Sequence, residues 1–328
     1  MKLGLTTKTI AADGQASREA ANCLADGGLV AFPTETVYGL GADATNAEAI
    51  ARLYEAKGRP SFNPLIAHVS DLAAAKSIAR FDEKSLRLAK TFWPGPLTLV
   101  LPKTDDCAVC DLATAGLDTI AARVPAHPIA LDILRALGKP VVAPSANISG
   151  HVSPTTAAHV MADLNERIDL IVDGGPVSVG VESTIVGCFG EMTLLRPGGL
   201  PSADIEAVLG EPLARLPEQI EADQSAPLAP GMLASHYAPR TPVRLNVRVV
   251  EAGEALLAFG PAEISGQGSD AMNLSQRGDL VEAAANLFSY LRTLDAKGAR
   301  RIAVAPIPDT GLGEAINDRL RRAAVPQD

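Results

Sequence analysis

The stretch Val30 to Gly41, read VAFPTETVYGLG, constrains this chain more than any other. It begins as a buried strand, Leu29 to Phe32, and Pro33 ends that strand because proline has no N–H to give a ladder. Thr34, Glu35, Thr36 and Tyr38 then crowd hydroxyls and a carboxylate into five positions. Gly39 and Gly41 close the segment, where the backbone either turns tightly or approaches something closely. An ordinary surface turn is the plain alternative. A strand that empties into a polar, glycine-closed loop is also where open α/β sheets place ligands.

The bulk numbers narrow the classes. With 328 residues, the length suits about two domains. The 47% hydrophobic and 20% charged content predicts a packed globular core rather than disorder. A formal net charge of −9, from 38 acids against 29 bases, argues against a broad grip on nucleic acid. The start, MKLGLTTKTIAADG, has no apolar stretch of the signal-peptide kind. No run approaches the ~18 apolar residues of a membrane span, so a cytoplasmic protein is expected. Cys107 and Cys110 form a single CxxC with no second pair, half a metal site at best.

Along the chain, Ser17 to Asp26 reads as a helix, followed by the organising strand and loop. Thr45 and Glu48 have capping-box spacing before a helix that Gly58 and Pro60 stop. Lys57 and Arg59 then fall at the helix end and just beyond, and Arg59 is expected to face solvent. Further strands are read at Leu65 to Val69, Leu97 to Leu101, Thr119 to Val124 and Pro140 to Pro144. A second polar loop, Ser145 to Gly150, precedes Ser153 as an N-cap with Pro154 at the first helical turn. From 211 to 242 the six prolines 212, 217, 227, 230, 239 and 242 mark an extended connector. From Val243 strands alternate with helices, as in a small βαβ unit with a parallel sheet. The expected division is a catalytic domain over 1–210, a connector or lid over 211–242 and a small α/β domain over 243–328.

Lys57, Arg59, Arg123 and Arg196 each lie at the mouth of a strand or loop. In an acidic chain, four bases so placed look like an anion site, with ordinary surface charge as the alternative for any one. Ser145, Asn147 and Ser153 fit that site, since they precede a helix N-terminus, though plain helix capping explains them too. There is no GxxxxGK[ST], no GxSxG and no HExxH. His68, in a strand, reads by default as a satisfied core histidine. Spacing alone therefore reaches a two-domain α/β protein with a basic, hydroxyl-rich pocket and no named substrate.

Several segments in fixed order resemble the YrdC family in its long, threonylcarbamoyl-AMP synthase form. They are PTETVYGLG (33–41), KGRPSFNPLIAHV (57–69), FWPGPLTLVL (92–101), TIAARVP (119–125), APSANISG (143–150), VESTIV (181–186) and LLRPG (194–198). SHYAPRTP (235–242) and GLGEAINDRL (311–320) extend the likeness over nearly the whole chain. The resemblance implies a twisted mixed α/β sheet with a large concave cavity, plus a small Rossmann-like C-terminal βαβ domain. It implies a nucleotidyltransferase that joins L-threonine, bicarbonate or CO2 and ATP into threonylcarbamoyl-AMP and releases pyrophosphate. The product would pass to a tRNA threonylcarbamoyl transferase machinery that modifies an adenosine beside the anticodon.

By that resemblance Lys57 and Arg59 act in catalysis, and Thr36, His68, Arg123, Ala143 and Ser183 line the threonine pocket. Arg59, Asn63, Thr119, Ser145, Asn147, Ser153, Arg196 and Tyr237 contact ATP. Mg2+ is expected with ATP, without a dedicated protein cage; neither stable nucleic-acid binding nor a membrane is expected. Two other readings remain. One is a relative that forms carbamoyl-adenylate, whose additional acylphosphatase and zinc-finger segments do not occur in this sequence. The other is a tRNA or double-stranded RNA binding module, which the net charge disfavours.

Overall fold

The computed structural model describes residues 5–216, 237–261, 265–266 and 269–325. Residues 217–236 of the connector or lid expected over 211–242 therefore lie outside the described residues, while Tyr237 lies within them. Among the described residues, eleven strands form one mixed sheet in the order β1-β8-β2-β3-β7-β4-β6-β5-β9-β10-β11. These strands are β1 Lys8–Ala11, β2 Val30–Pro33, β3 Tyr38–Asp43, β4 Ile66–His68, β5 Leu97–Pro102 and β6 Thr119–Arg123. Then come β7 Val141–Val142, β8 Leu170–Asp173, β9 Thr184–Gly187, β10 Thr193–Arg196 and β11 Ala214–Arg215. The helices α1 Ala16–Ala25, α2 Ala47–Lys57, α3 Leu72–Lys76, α4 Glu83–Phe92, α5 Pro128–Leu137, α6 Ala157–Leu164 and α7 Ser202–Leu209 accompany it.

The sheet is buried on both faces, and the period of two sorts its side chains. Val30 and Phe32 of β2 join Val141 of β7 and Leu170 and Val172 of β8 in the cluster beneath α1 and α5. Ala31, Val142 and Ile171, one residue out of phase, join the larger cluster on the opposite face. Strands covered on both sides read as continuous apolar runs, as these do.

The organising stretch is a hairpin. β2 and β3 pair antiparallel from Val30↔Gly41 to Pro33↔Tyr38, around the tip Thr34 to Val37. Pro33 is thus the last paired residue of its strand. Gly39 and Gly41 sit inside β3 and turn nothing; their purpose is close approach. A Cβ on Gly41 would lie 2.7 Å from Phe32 Cε1, and one on Gly39 3.1 Å from the Ala143 Cβ.

Two caps differ from expectation. Asn46, not Thr45, caps α2, accepting from the Glu48 and Ala49 N–H groups, while the Thr45 hydroxyl donates to Asp43. α6 begins at Ala157 with Thr156 as cap, because the Ser153 hydroxyl is committed to Glu182.

The second sheet is wholly parallel, ordered β12-β17-β14-β16. It comprises β12 Val243–Arg244, β14 Glu254–Ala258, β16 Ala271–Asn273 and β17 Arg301–Val304, with β13 Val249–Val250 and β15 Ser265–Gly266 as a separate pair. Helices α8 Leu280–Asp295 and α9 Leu312–Ala323 pack on it. Its apolar core, built around Leu257, Phe288 and Ile302, continues into Val37, Val152 and Val181 of the first sheet's loops. Arg292 of α8 also pairs with Asp163 of α6 at 2.8 Å.

Glycines at backbone crossings give the fold's sharpest test. A Cβ on Gly198 would lie 2.3 Å from the Ser183 carbonyl carbon and the Thr184 nitrogen, while one on Gly14 meets nothing within 4 Å. Gly198→Ala is therefore expected to cost at least ~1–3 kcal/mol in denaturant melts, because backbone and not a side chain must move. Gly14→Ala should stay within about 0.5 kcal/mol of the parent.

Candidate active site

Strand register gathers the site. β4 and β6 pair parallel with His68 opposite Arg123, which brings side chains 55 positions apart to neighbouring strand ends. The hairpin tip lies beside them, tied down where Val179 and Gly180 donate N–H groups to the carbonyls of Glu35 and Thr36. The loop after β7 completes the ring, with Gly39 and Ser145 joined by an isolated bridge. The resulting pocket is lined by Thr34, Thr36, Val37, Gly39, Arg59, Ile66, His68, Arg123, Ala143, Pro144, Ser145, Glu182, Ser183, Arg196 and Tyr237. The empty space in the pocket, its opening to solvent included, is about 540 Å3.

Of the residues singled out in the sequence, Thr36, Arg59, His68, Arg123, Ala143, Ser145, Ser183, Arg196 and Tyr237 come together here. Lys57, Asn63, Thr119, Asn147 and Ser153 stand outside the lining. Lys57 is almost wholly buried, and its ammonium donates to the carbonyls of Ser145 at 2.5 Å and Asn147 at 2.6 Å. It clamps the polar loop onto the end of α2, where Ser149 N–H also meets the Lys57 carbonyl. Asn147 turns its amide back onto the Ile148 and His151 carbonyls. Thr119 opens β6 opposite Pro102. Asn63 is buried, and neither side-chain amide atom has a hydrogen-bond partner among the described residues, an uncommon state for a buried polar group.

Arg59 is buried rather than solvent-facing, because its guanidinium turns back to the Asn63 and Pro64 carbonyls at 3.3 and 3.0 Å. Among the described residues no carboxylate pairs with Arg59 or Lys57. Burial pulls Arg59 down to about 10, with the like charge of Arg196 acting the same way and Tyr54 and Tyr237 opposing. Burial, then Arg59, pulls Lys57 well below the ordinary lysine value. Arg196 is also lowered by burial, and donates to the Ser183 carbonyl at 2.8 Å. Arg59 and Arg196 give the pocket lining a desolvated positive field, which an anionic ligand would satisfy.

Beside His68 the positive charge is balanced. Arg123 donates to Glu35 at 2.6 Å, to the Thr36 hydroxyl at 3.0 Å and to the Gly95 carbonyl at 3.2 Å. Glu35 and Glu182 carried no assignment in the sequence reading. A carboxylate in a hydroxyl-rich loop looks solvated until its partner, far away in the chain, is placed.

His68 is buried, and burial with the nearby Arg123 charge lowers it to about 3, against a slight opposing bond to Ile66. Its Nδ1 lies 3.2 Å from the Ile66 carbonyl. A carbonyl only accepts, so Nδ1 carries the proton and Nε2 keeps a lone pair.

The fold and the pocket define an α/β protein that presents buried cations, hydroxyls and a neutral imidazole to a small anionic ligand. The family described as "Telomere recombination" matches residues 22–198, and "Threonylcarbamoyl-AMP synthase, C-terminal domain" matches 200–325. The threonylcarbamoyl-AMP synthase of Bacillus subtilis is 43% identical over 321 residues, covering 93% of this chain and 92% of that protein. That of Pyrococcus abyssi is 45% identical over 320 residues, covering 94% and 93%. The crystal structure of P. abyssi Sua5 complexed with L-threonine superposes with a TM-score of 0.88 and 39% identity over 97% of each chain. The chain belongs to the threonylcarbamoyl-AMP synthase family.

The neutral histidine gives a pH test. Its folded value lies below its unfolded one, so between about 6.5 and about 3 the unfolded state binds the extra proton and stability falls as pH falls. Above that window the effect is flat. His159, lowered to about 4 chiefly by burial, adds the same sign. Melting temperatures from pH 7 to 4 should fall less steeply for His68→Gln than for the parent; equal slopes would contradict a buried neutral imidazole.

Proposed function

We propose that this pocket makes threonylcarbamoyl-AMP, with L-threonine beside His68 and Arg123 and ATP beside Arg59 and Arg196. The observation that carries the reading is Arg59: buried, on the pocket wall, and without a carboxylate partner among the described residues. A triphosphate supplies the missing counter-charge. The threonine amine adds to CO2 and gives up a proton to form a carbamate; from bicarbonate the same product forms with release of water. A carbamate oxygen then attacks the α-phosphorus of ATP, the P–O bond to the β-phosphate breaks, and pyrophosphate leaves. No protein nucleophile is required. The chain's contribution is positioning and neutralisation of phosphate charge, by Arg59 and Arg196 directly and by Lys57 through the loop it clamps.

On the threonine side, His68 Nε2 accepts from the threonine hydroxyl and Arg123 has N–H groups left for the carboxylate. Asn63, whose amide atoms are buried without partners, is assigned to the nucleotide side with Thr119, Ser145 and Tyr237. Asn147 and Ser153 act through the loops they brace.

The enzyme uses ATP, and Mg2+ is proposed to arrive on the triphosphate, neutralising charge and keeping most of its own waters. Among the described residues no group of three or more His, Cys, Asp or Glu side chains could cage a metal ion. No helix among them is long and apolar enough to cross a membrane. We place the work in the cytoplasm, with the mixed anhydride handed to a tRNA-modifying transferase.

Pyrophosphate release from ATP should require both L-threonine and bicarbonate; release independent of threonine would overturn the assignment. Arg59→Lys keeps the charge and loses the two carbonyl bonds, and Arg59→Ala loses both. The alanine variant should fall on the order of 10²–10³-fold in turnover, the scale of a lost charge-stabilising donor, with circular dichroism confirming the fold. Valine is nearly isosteric with threonine but cannot donate to His68. It should be rejected by about 10⁴-fold in kcat/KM, as sites built to bond a hydroxyl do, and comparable turnover would show the hydroxyl is not read.

A further inference from the structure

Arg319 of α9 is a fully buried side chain of the second domain. It lies on the helix's apolar face, four residues from Ala315 and Ala323 and beside Ile316 and Leu320, all buried. A leucine would satisfy that pattern. A buried ion pair gains little stability over well-packed apolar groups, so the arginine calls for another reason.

That reason is what faces it. Nε donates to Glu182 at 2.7 Å, a second nitrogen donates to the Pro197 carbonyl at 3.0 Å, and the third to Asp318. The guanidinium carbon lies 4.8 Å from the Tyr237 ring centre, and the ring also stacks with Phe288 of α8 at 5.7 Å. Glu182 comes just before β9 and Pro197 just after β10, so one planar fork spans the mouths of two adjacent strands. Their immediate neighbours, Ser183 and Arg196, line the pocket, as do Glu182 and Tyr237 themselves. The other oxygen of Glu182 accepts from Ser153 at the base of the polar loop.

We propose that Arg319 is a positioning residue for the nucleotide side of the active site, and that through it and Phe288 the second domain fixes the wall formed by Glu182, Arg196 and Tyr237. The small domain is then part of the catalytic unit and not an appendage. Lysine cannot reproduce this arrangement, since a point charge does not make a planar fork with a stacked face. The proposal rests on the reading of the pocket as the site for ATP and threonine.

The test uses the full chain with Arg319→Lys, and with Arg321→Ala as an exposed control on the same helix. Titration calorimetry with Mg-ATP and steady-state pyrophosphate release are both measured. Arg319→Lys should weaken ATP binding and raise KM for ATP by about tenfold, with KM for threonine within about twofold of the parent. Arg321→Ala should leave all three values unchanged. If Arg319→Lys does not fold, Phe288→Leu decides, since it removes only the ring stacked with Tyr237 and should also raise KM for ATP severalfold. Folded variants with parental ATP affinity and KM, or activity lost only in proportion to folded protein, would overturn the proposal. If the parent binds ATP but releases no threonine-dependent pyrophosphate, the functional reading fails, and the binding shift still decides the role of Arg319.

Discussion

The site depends on charge held out of water. Lys57, Arg59 and Arg196 are all buried, and burial depresses all three. The chain tolerates this by different means. The Lys57 ammonium is solvated by two loop carbonyls, so its desolvation is offset by backbone, and the loop is pinned as a consequence. Arg59 has carbonyls on one side only, and its remaining donors belong to the pocket. A wall of this kind is costly without a ligand and favourable with an anion, which is how a rigid site differs from a surface patch of the same composition.

The sheet was legible because its strands are short apolar runs between proline and glycine punctuation, as at Leu97 to Leu101 and Thr119 to Val124. The residues that assemble at the pocket were legible as bases and hydroxyls at strand mouths. What those side chains do there was not. Lys57 ends α2 and Arg59 lies just past its stop, where solvent exposure is the ordinary expectation for Arg59; instead the carbonyls of the 145–150 loop hold Lys57, and those of Asn63 and Pro64 hold Arg59. Ser153 fits a cap by local spacing, but its hydroxyl is taken by Glu182, 29 positions on. Local patterns rank local partners, whereas the partners that won are set by β-sheet register, which no short window contains.

Arg319 shows the same limit from the other side. Its helix is amphipathic, and a charged residue among Ala315, Ile316, Leu320 and Ala323 looks like a break in the pattern. Placed in the structure it sits beside Tyr237 and donates to Glu182. A local rule broken at a buried position is often the mark of a functional constraint, and the apparent defect in the helix was the signal available.

The same logic divides the pocket by charge. Glu35 neutralises Arg123 at one end, and the neutral imidazole of His68 adjoins it through the β4–β6 register. Elsewhere on the lining stand Arg59 and Arg196, both lowered chiefly by burial, with the Arg196 charge adding to the depression of Arg59. An amino acid is a zwitterion with no net charge, and a triphosphate is a polyanion. Each matches one end and is mismatched with the other: the triphosphate would meet Glu35, and the threonine ammonium would meet two guanidinium groups. Once carboxylated, the threonine nitrogen loses its positive charge and its new carboxylate is drawn toward the cationic end, where the α-phosphorus would lie. On the proposed placement of the two substrates, the same gradient that would sort them would also turn the carbamate toward the bond it has to form.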